Sequence, residues 1–297
     1  MGVPIYIAGA TATGKSEVAI EIARKIKGEI ISVDSMQVYK EMDIGTAKPA
    51  PEQRKEIPHH LVDCVELEDT FDAAKFVSAV AEKIGQIEQP IFCGGTGLYF
   101  QAWVEGLGDA PAGNSKIREE LEQTPKQELL EELEKKDPET YEKIDKNNSR
   151  RLWRAIEVIR ITGKKHSEQK AIWNKTAAEN FFILERIEEE QKGRIRRRTE
   201  RMFEQGLIEE TRKLQPRLEK NRTAQQALGY KQVIAYLRGE QKREETIEQV
   251  KSLTWKYAKR QKTWFKQLQG GKKIVLEKEE SAEETATRIL KTNAISA

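Results

Sequence analysis

The 297-residue chain has two cysteines, three histidines and no apolar run near the length that crosses a bilayer. Two thiols, Cys64 and Cys93, cannot build a disulfide framework, and both are expected to be buried. Two of the histidines are adjacent, His59 and His60, on an irregular segment. Neighbouring side chains there rarely converge on one ion, so no histidine metal site is read. A membrane helix needs about 20 apolar residues, so no membrane partner is expected. The sequence opens in a strand-like run at 3–8 with no basic leader or cleavage site, which predicts a cytoplasmic protein. Internal repeats and long low-complexity tracts are also missing, which excludes solenoids and disordered linkers.

Charge is what the chain has in abundance. Charged residues make up 34% and hydrophobic ones 37%, a globular composition with a heavily solvated surface. The net charge of +3 hides an asymmetry. Residues 1–110 carry 17 Asp+Glu against 10 Lys+Arg, and residues 111–297 carry 32 against 42. A basic remainder suits a polyanionic partner. It equally suits solvated, salt-bridged helices.

The first part alternates strand and helix. Apolar runs at 3–8, 29–33 and 90–93 read as buried strands, and Val18, Ile22 and Ile26 give helical spacing between the first two. A second helix is predicted over 76–87. Such alternation predicts an α/β fold with a parallel, doubly wound sheet. A junction rich in Gly, Ala, Asp and Pro follows at 106–115, and then nearly continuous helix over 116–123, 126–136 and 148–162. The run Asn180-Phe-Phe-Ile-Leu184 returns to strand. Long helices are expected at about 188–204 and 244–269, and a last strand at 273–276. The expected organisation is a core part at 1–112, a helical insertion at 113–179 and a core completion at 180–297.

The segment GATATGKS, residues 9–16, fits G-x-x-x-x-G-K-[ST] between a strand and a helix, the context that motif requires. Gly9, Ala10, Thr11, Ala12, Thr13 and Gly14 would wrap backbone N–H groups around a diphosphate, at the positive end of a helix. Lys15 adds a point charge, and the Ser16 hydroxyl is placed to ligate Mg2+. Nucleotide- and ATP-binding proteins, small-molecule kinases among them, use the same loop, so it leaves the chemistry open.

The other strand ends add polar groups at the same edge. Asp34 could take a proton from an attacking nucleophile, sit beside a metal's water shell, or cap its turn. Gly94-Gly95-Thr96-Gly97 could bring backbone and a hydroxyl to the site or be a tight turn. Arg194, Arg197, Arg198 and Arg201 share one helical face, suited to phosphates or to pairing with Glu188, Glu189, Glu190 and Glu200. Lys256, Lys259 and Arg260 share another face among Trp255, Tyr257, Trp264 and Phe265. Cations there suit RNA phosphates, with Trp264 and Phe265 read as core.

Together these pieces resemble the bacterial tRNA dimethylallyltransferases. The matching segments are 9–16, DSMQVYKEMDIGTAKP at 34–49, PHHLVD at 58–63 and GGTGLYF at 94–100. RRLWRAIEV at 150–158, the Arg-rich helix near 194–207, LGY at 228–230 and YAKRQKTWF at 257–265 continue the match in the family's order. The resemblance implies a P-loop core with an inserted helical domain, acting as a monomer. It implies transfer of a dimethylallyl group from dimethylallyl diphosphate to the exocyclic amine of the adenosine 3′ of the anticodon in tRNA. Lys15, Ser16, Arg194 and Arg198 would hold the donor's diphosphate, Ser16 with Mg2+. Asp34 would be the general base, and Thr96 would assist near the leaving oxygen. Asp34, Ser35, Met36, Gln37 and Thr96 would lie along the flipped nucleotide. Arg118 and Arg150, Arg151, Leu152, Trp153 and Arg154 would contact tRNA. Some relatives carry arginine where this chain has Gln226, so no catalytic arginine is assigned there. The competing reading is a small-molecule or nucleotide kinase, which leaves the basic helices without a role.

Overall fold

The computed structural model describes residues 2–108, 111–169, 180–268, 270–278 and 280–292. The chain divides into two compact units, Met1–Val104 with Thr176–Ala297, and Glu105–Lys175. The sequence reading began the second unit at 113, inside it. The end expected at 179 lies outside the described residues.

In the larger unit, β1 (Ile5–Gly9) leads into α1 (Lys15–Ile26), then β2 (Glu29–Val33), α2 (Pro51–Glu56), β3 (His59–His60), α3 (Ala73–Ile84), β4 (Pro90–Gly94) and α4 (Gly97–Val104). In the smaller unit α5 (Ser115–Gln123), α6 (Lys126–Lys136), α7 (Pro138–Lys143) and α8 (Ser149–Thr162) follow. The larger unit resumes with β5 (Phe181–Arg186), α9 (Glu188–Glu204), α10 (Leu207–Leu218), α11 (Tyr230–Leu237), α12 (Arg243–Lys266), β6 (Lys272–Leu276) and α13 (Ala282–Thr292).

The six strands form one parallel sheet in the order β3-β2-β4-β1-β5-β6. Every residue of β1 and β4 is buried, as expected of strands covered on both faces. Alternate side chains feed separate cores. Tyr6, Ala8, Ile31, Phe92, Phe181 and Ile183 pack against α3, α4, α10 and α11 on one face. Ile5, Ile7, Ile30, Ile91, Phe182 and Leu184 pack with α1 and α13 on the other. Tyr6 stacks on Phe92 and Phe181 at centroid distances of 4.9 and 5.6 Å, tying three strands together.

Local signals set the helix ends. The Asp72 side chain caps α3 by accepting from the N–H groups of Ala74 and Lys75 at 3.0 Å. Asn148 caps α8 through Arg151 N–H at 3.2 Å, and Gly163 ends it at φ 69°. The smaller unit has its own core of Leu121, Leu129, Leu133, Leu152, Ala155, Ile156 and Ile159.

Candidate active site at the carboxyl edge of the sheet

Parallel pairing brings three turns to one edge. Val33 and Ala8 each pair with Gly94, and Gly9 pairs with Leu184, so the segments after β1, β2 and β4 leave the sheet side by side. Gly14 sits at φ 103° immediately before α1, a conformation that suits glycine. Ala12 also has a positive φ, 63°. Backbone held in a sparsely populated region needs surrounding structure to hold it there.

That support comes from far along the chain. Gln261 on α12 accepts from Thr11 N–H at 2.8 Å and donates to Gly95 carbonyl at 2.8 Å, joining two of the turns. From α9, Gln191 donates to Thr11 carbonyl at 2.8 Å and Arg194 to Ala12 carbonyl at 3.1 Å. Arg186 on β5 donates to Thr13 carbonyl at 2.7 Å. Within the loop, Thr13 hydroxyl donates to Ala10 carbonyl at 2.9 Å, and Lys15 Nζ lies 3.4 Å from the same oxygen. The sequence reading missed Gln191, Gln261 and Arg186. Side-chain bonds to backbone so distant in sequence leave no local pattern.

Beside the loop lies a cavity of about 900 Å3. Lys15, Ser16, Arg194, Arg197, Arg198 and Arg201 line it, with Arg54 and Lys48 opposite and only Glu17 and Asp43 as acids. Arg198 donates to Thr11 hydroxyl at 3.0 Å, and Arg194 pairs with Glu17 at 3.0 Å. Arg197 and Arg201 pair with no described residue, including the glutamates of α9. Desolvation pushes the Lys15 ammonium below its ordinary pKa, with Cys93 opposing and Arg198 adding to the fall. Desolvation does the same to Arg198, with Asp34 opposing. Neither cation has an ion-pair partner among the described residues, the condition of a site shaped for an anion.

Asp34 uses one oxygen structurally and leaves the other open. Oδ1 accepts from Met36 N–H at 2.8 Å and Gln37 N–H at 3.2 Å, while Oδ2 has no hydrogen-bond partner among the described residues. Thr96 Oγ1 accepts from Ser35 N–H at 3.1 Å, so its own proton can point elsewhere. The Tyr257 phenol is pushed up by burial and then by Asp34, which keeps it a donor. Gln37 was expected along a bound nucleotide. Its side chain donates to the carbonyls of Thr46 and Ala47 at 3.2 Å and accepts from Ser32 hydroxyl at 3.0 Å. Met36 packs against the core, and Ser35 is half-buried.

Other expectations need correction. Leu152 is fully buried in the core of the smaller unit, so its side chain cannot meet RNA, and Trp153 packs against the same cluster. Arg118 and Arg154 both pair with Glu157, whose side chain is 1% exposed. Its carboxylate accepts from Arg118 Nε at 2.8 Å, Arg154 at 2.7 Å and Asn114 N–H at 2.8 Å. A buried carboxylate must be paired, so both arginines serve the fold, while the half-exposed Arg118 guanidinium stays accessible to solvent. Arg150 and Arg151 remain exposed beside a cavity of about 540 Å3, which Lys143 and His166 also line. Lys256, Lys259 and Arg260 are exposed on α12. Lys192, Lys259 and Lys262 surround the Trp255 ring at 5.3, 5.9 and 5.3 Å, and Arg260 stands 5.7 Å from the Tyr257 ring. Phe265 is core and Trp264 packs against it, as read. Cys64 is exposed, not buried, and Cys93 is buried. His59 bonds Ile57 carbonyl and His60 bonds Glu29.

For Mg2+, the loop offers one protein oxygen, the exposed Ser16 hydroxyl beside the cationic cradle. Mg2+ is commonly held by one or two protein oxygens together with phosphate oxygens and water, so the donor set fits a phosphate-borne ion.

The family model described as IPP transferase matches residues 37–268. The tRNA dimethylallyltransferase of Acetivibrio thermocellus is 41% identical over 278 residues, covering 89% of each chain. That of Shouchella clausii is 44% identical over 273 residues, covering 88% of this chain and 87% of its own. Among solved structures, the tRNA delta(2)-isopentenylpyrophosphate transferase from Staphylococcus epidermidis superposes with a TM-score of 0.71 at 33% identity, over 99% of each chain. A eukaryotic dimethylallyltransferase described as acting on tRNA gives 0.78 at 29% identity, over 99% of this chain and 77% of its own. The chain therefore belongs to the IPP transferase family, that of the tRNA dimethylallyltransferases.

Proposed function

We propose that this protein transfers the dimethylallyl group of dimethylallyl diphosphate to the exocyclic amine of the adenosine 3′ of the anticodon in tRNA, releasing diphosphate. The observation that carries the chemistry is the cationic cradle of Lys15 and Arg198 at the cavity, near Asp34, whose Oδ2 has no hydrogen-bond partner among the described residues.

Lys15, Arg194, Arg198 and the loop N–H groups bind the diphosphate where negative charge grows as the carbon–oxygen bond breaks. Mg2+ held through Ser16 and phosphate oxygens would supply further charge stabilisation when bound. The Thr96 hydroxyl, fixed through Ser35, donates toward the leaving oxygen. The adenosine leaves its stack to enter the site, at small cost in a single-stranded loop. Its amine attacks the carbon, and Asp34 Oδ2 takes the proton the amine loses. Arg150, Arg151, Lys256, Lys259 and Arg260, all exposed, meet tRNA phosphates. The acceptor places the reaction in the cytoplasm, and one chain carries every residue invoked, so a monomer suffices. Among the described residues no helix is long and apolar enough to cross a membrane.

Incubation with labelled dimethylallyl diphosphate and unmodified tRNA tests the reading. Label in the adenosine 3′ of the anticodon is the expected result. No transfer, alongside ATP-dependent phosphorylation of a small acceptor, overturns it in favour of a kinase.

A further inference from the structure

The loop 43–48 forms one wall of the cavity that Lys15 and Arg198 floor: Asp43, Ile44, Ala47 and Lys48 line it. This loop is irregular backbone, and its conformation is set from both ends by side chains that touch neither loop 9–16 nor the cradle.

One end is held by Glu210, from α10. Its Oε2 accepts from Asp43 N–H at 3.2 Å and Ile44 N–H at 2.9 Å. Its Oε1 accepts from Gly45 N–H at 3.3 Å and from the Tyr230 hydroxyl at 2.6 Å. Four donors occupy one carboxylate, the full capacity of its two oxygens. Tyr230 is completely buried, and its ring presses so closely on Gly45 that a Cβ there would lie 2.3 Å from it. The loop is therefore clamped between a carboxylate and a ring.

The other end is held by Gln37. Its amide donates to Thr46 and Ala47 carbonyls, and its backbone N–H donates to Asp34 Oδ1. A continuous set of bonds thus runs from Glu210 through loop 43–47 and Gln37 to the carboxylate read as the general base. The open Oδ2 of Asp34 is aimed by what Oδ1 holds.

We propose that Glu210 and Gln37 are positioning residues that aim Asp34 by fixing the loop 43–47 against the Asp34 turn, a role resting on the prenyl-transfer reading above. Neither touches the reacting atoms. Misplacing a catalytic group by about 1 Å costs on the order of a hundredfold. Glu210→Gln replaces one carboxylate oxygen by an amide NH2, which faces the Gly45 N–H or the Asp43 and Ile44 N–H groups whichever way the amide turns. It should lower kcat roughly 10- to 100-fold while KM for tRNA stays within about threefold. Gln37→Ala should give the same pattern from the other end of the chain of bonds. The double variant should fall little below the worse single, because both break one pathway. In an Asp34→Ala background Glu210→Gln should cost nothing further.

Amide hydrogen exchange at residues 35–37 and 43–47, read without substrate, should quicken in Glu210→Gln. Unchanged exchange overturns the clamp. Faster exchange with kcat within twofold of wild type, or equal losses with and without Asp34, overturns the positioning role. Should the wild-type protein transfer no dimethylallyl group, the proposed reaction fails, while the exchange comparison still decides whether the clamp exists.

Discussion

Gln261 gives the sharpest test of how the phosphate loop is built. It is 6% exposed and makes two bonds at 2.8 Å, one to Thr11 N–H and one to Gly95 carbonyl. Gln261→Met keeps the volume and removes both partners. A buried polar group left unsatisfied costs about 1–3 kcal/mol, so the pair costs about 2–6 kcal/mol. Each kcal/mol moves Tm by about 2–4 °C in a domain of this size, giving a fall of roughly 4–24 °C. Calorimetry of the ligand-free protein reads it. Gln261→Glu separates the two bonds. Its carboxylate still accepts from Thr11 but faces the Gly95 carbonyl with an oxygen, and protonation restores a donor. Its deficit should therefore shrink as pH falls toward the range where a buried carboxyl binds a proton. A Gln261→Met variant melting within about 2 °C of wild type refutes the reasoning, since that shift is below the smallest predicted cost.

Asp34→Ala should leave tRNA binding nearly intact and cut turnover by roughly 10²–10⁴-fold, measured by single-turnover transfer. Arg118→Ala and Arg154→Ala should each lower the melting temperature by leaving Glu157 underpaired, and a change confined to tRNA affinity would contradict the pairing with Glu157. Asp137, buried under Thr140 and Ser167, is held down to about 2: burial opposes the shift, and the donated bonds outweigh it. A depressed carboxyl stabilises the fold above its unfolded pKa, near 4, and that contribution drains away as pH falls from about 4 to about 2. Asp137→Asn should flatten acid unfolding in that window, followed by circular dichroism. Filter binding of tRNA should weaken steeply with salt, and charge reversal at Lys256 and Lys259 should reduce the slope.

The elements with strong periodicity were legible. The runs at 29–33 and 90–93 form strands within a residue of their expected bounds, and 188–204 and 126–136 are helices at those bounds. β3 was not, because two residues of pairing carry no pattern. α10, α11 and α13 went unnamed; α10 and α13 lie in strongly charged sequence, and the eight residues of α11 are too few for a clear helical period. At the site, the loop and Asp34 were readable because their neighbours in sequence are their neighbours in space. Gln191, Gln261 and Glu210 were not, since each acts on backbone more than 160 positions away. Leu152 misled for a related reason, and the inner partner of Arg118 and Arg154 was equally hidden. A basic helix read from one strand of sequence does not reveal that Glu157 waits inside to collect its arginines.

The long-range bonds to the phosphate loop also bear on how the protein is made. The sequence of that loop leaves the ribosome well before the groups that shape it, which are Arg186, Gln191, Arg194 and, last, Gln261. β1 itself lacks one neighbour until β5 arrives. A nascent chain therefore carries the motif before it carries the site. In the proposed reaction, diphosphate capture waits until α12 has emerged and docked.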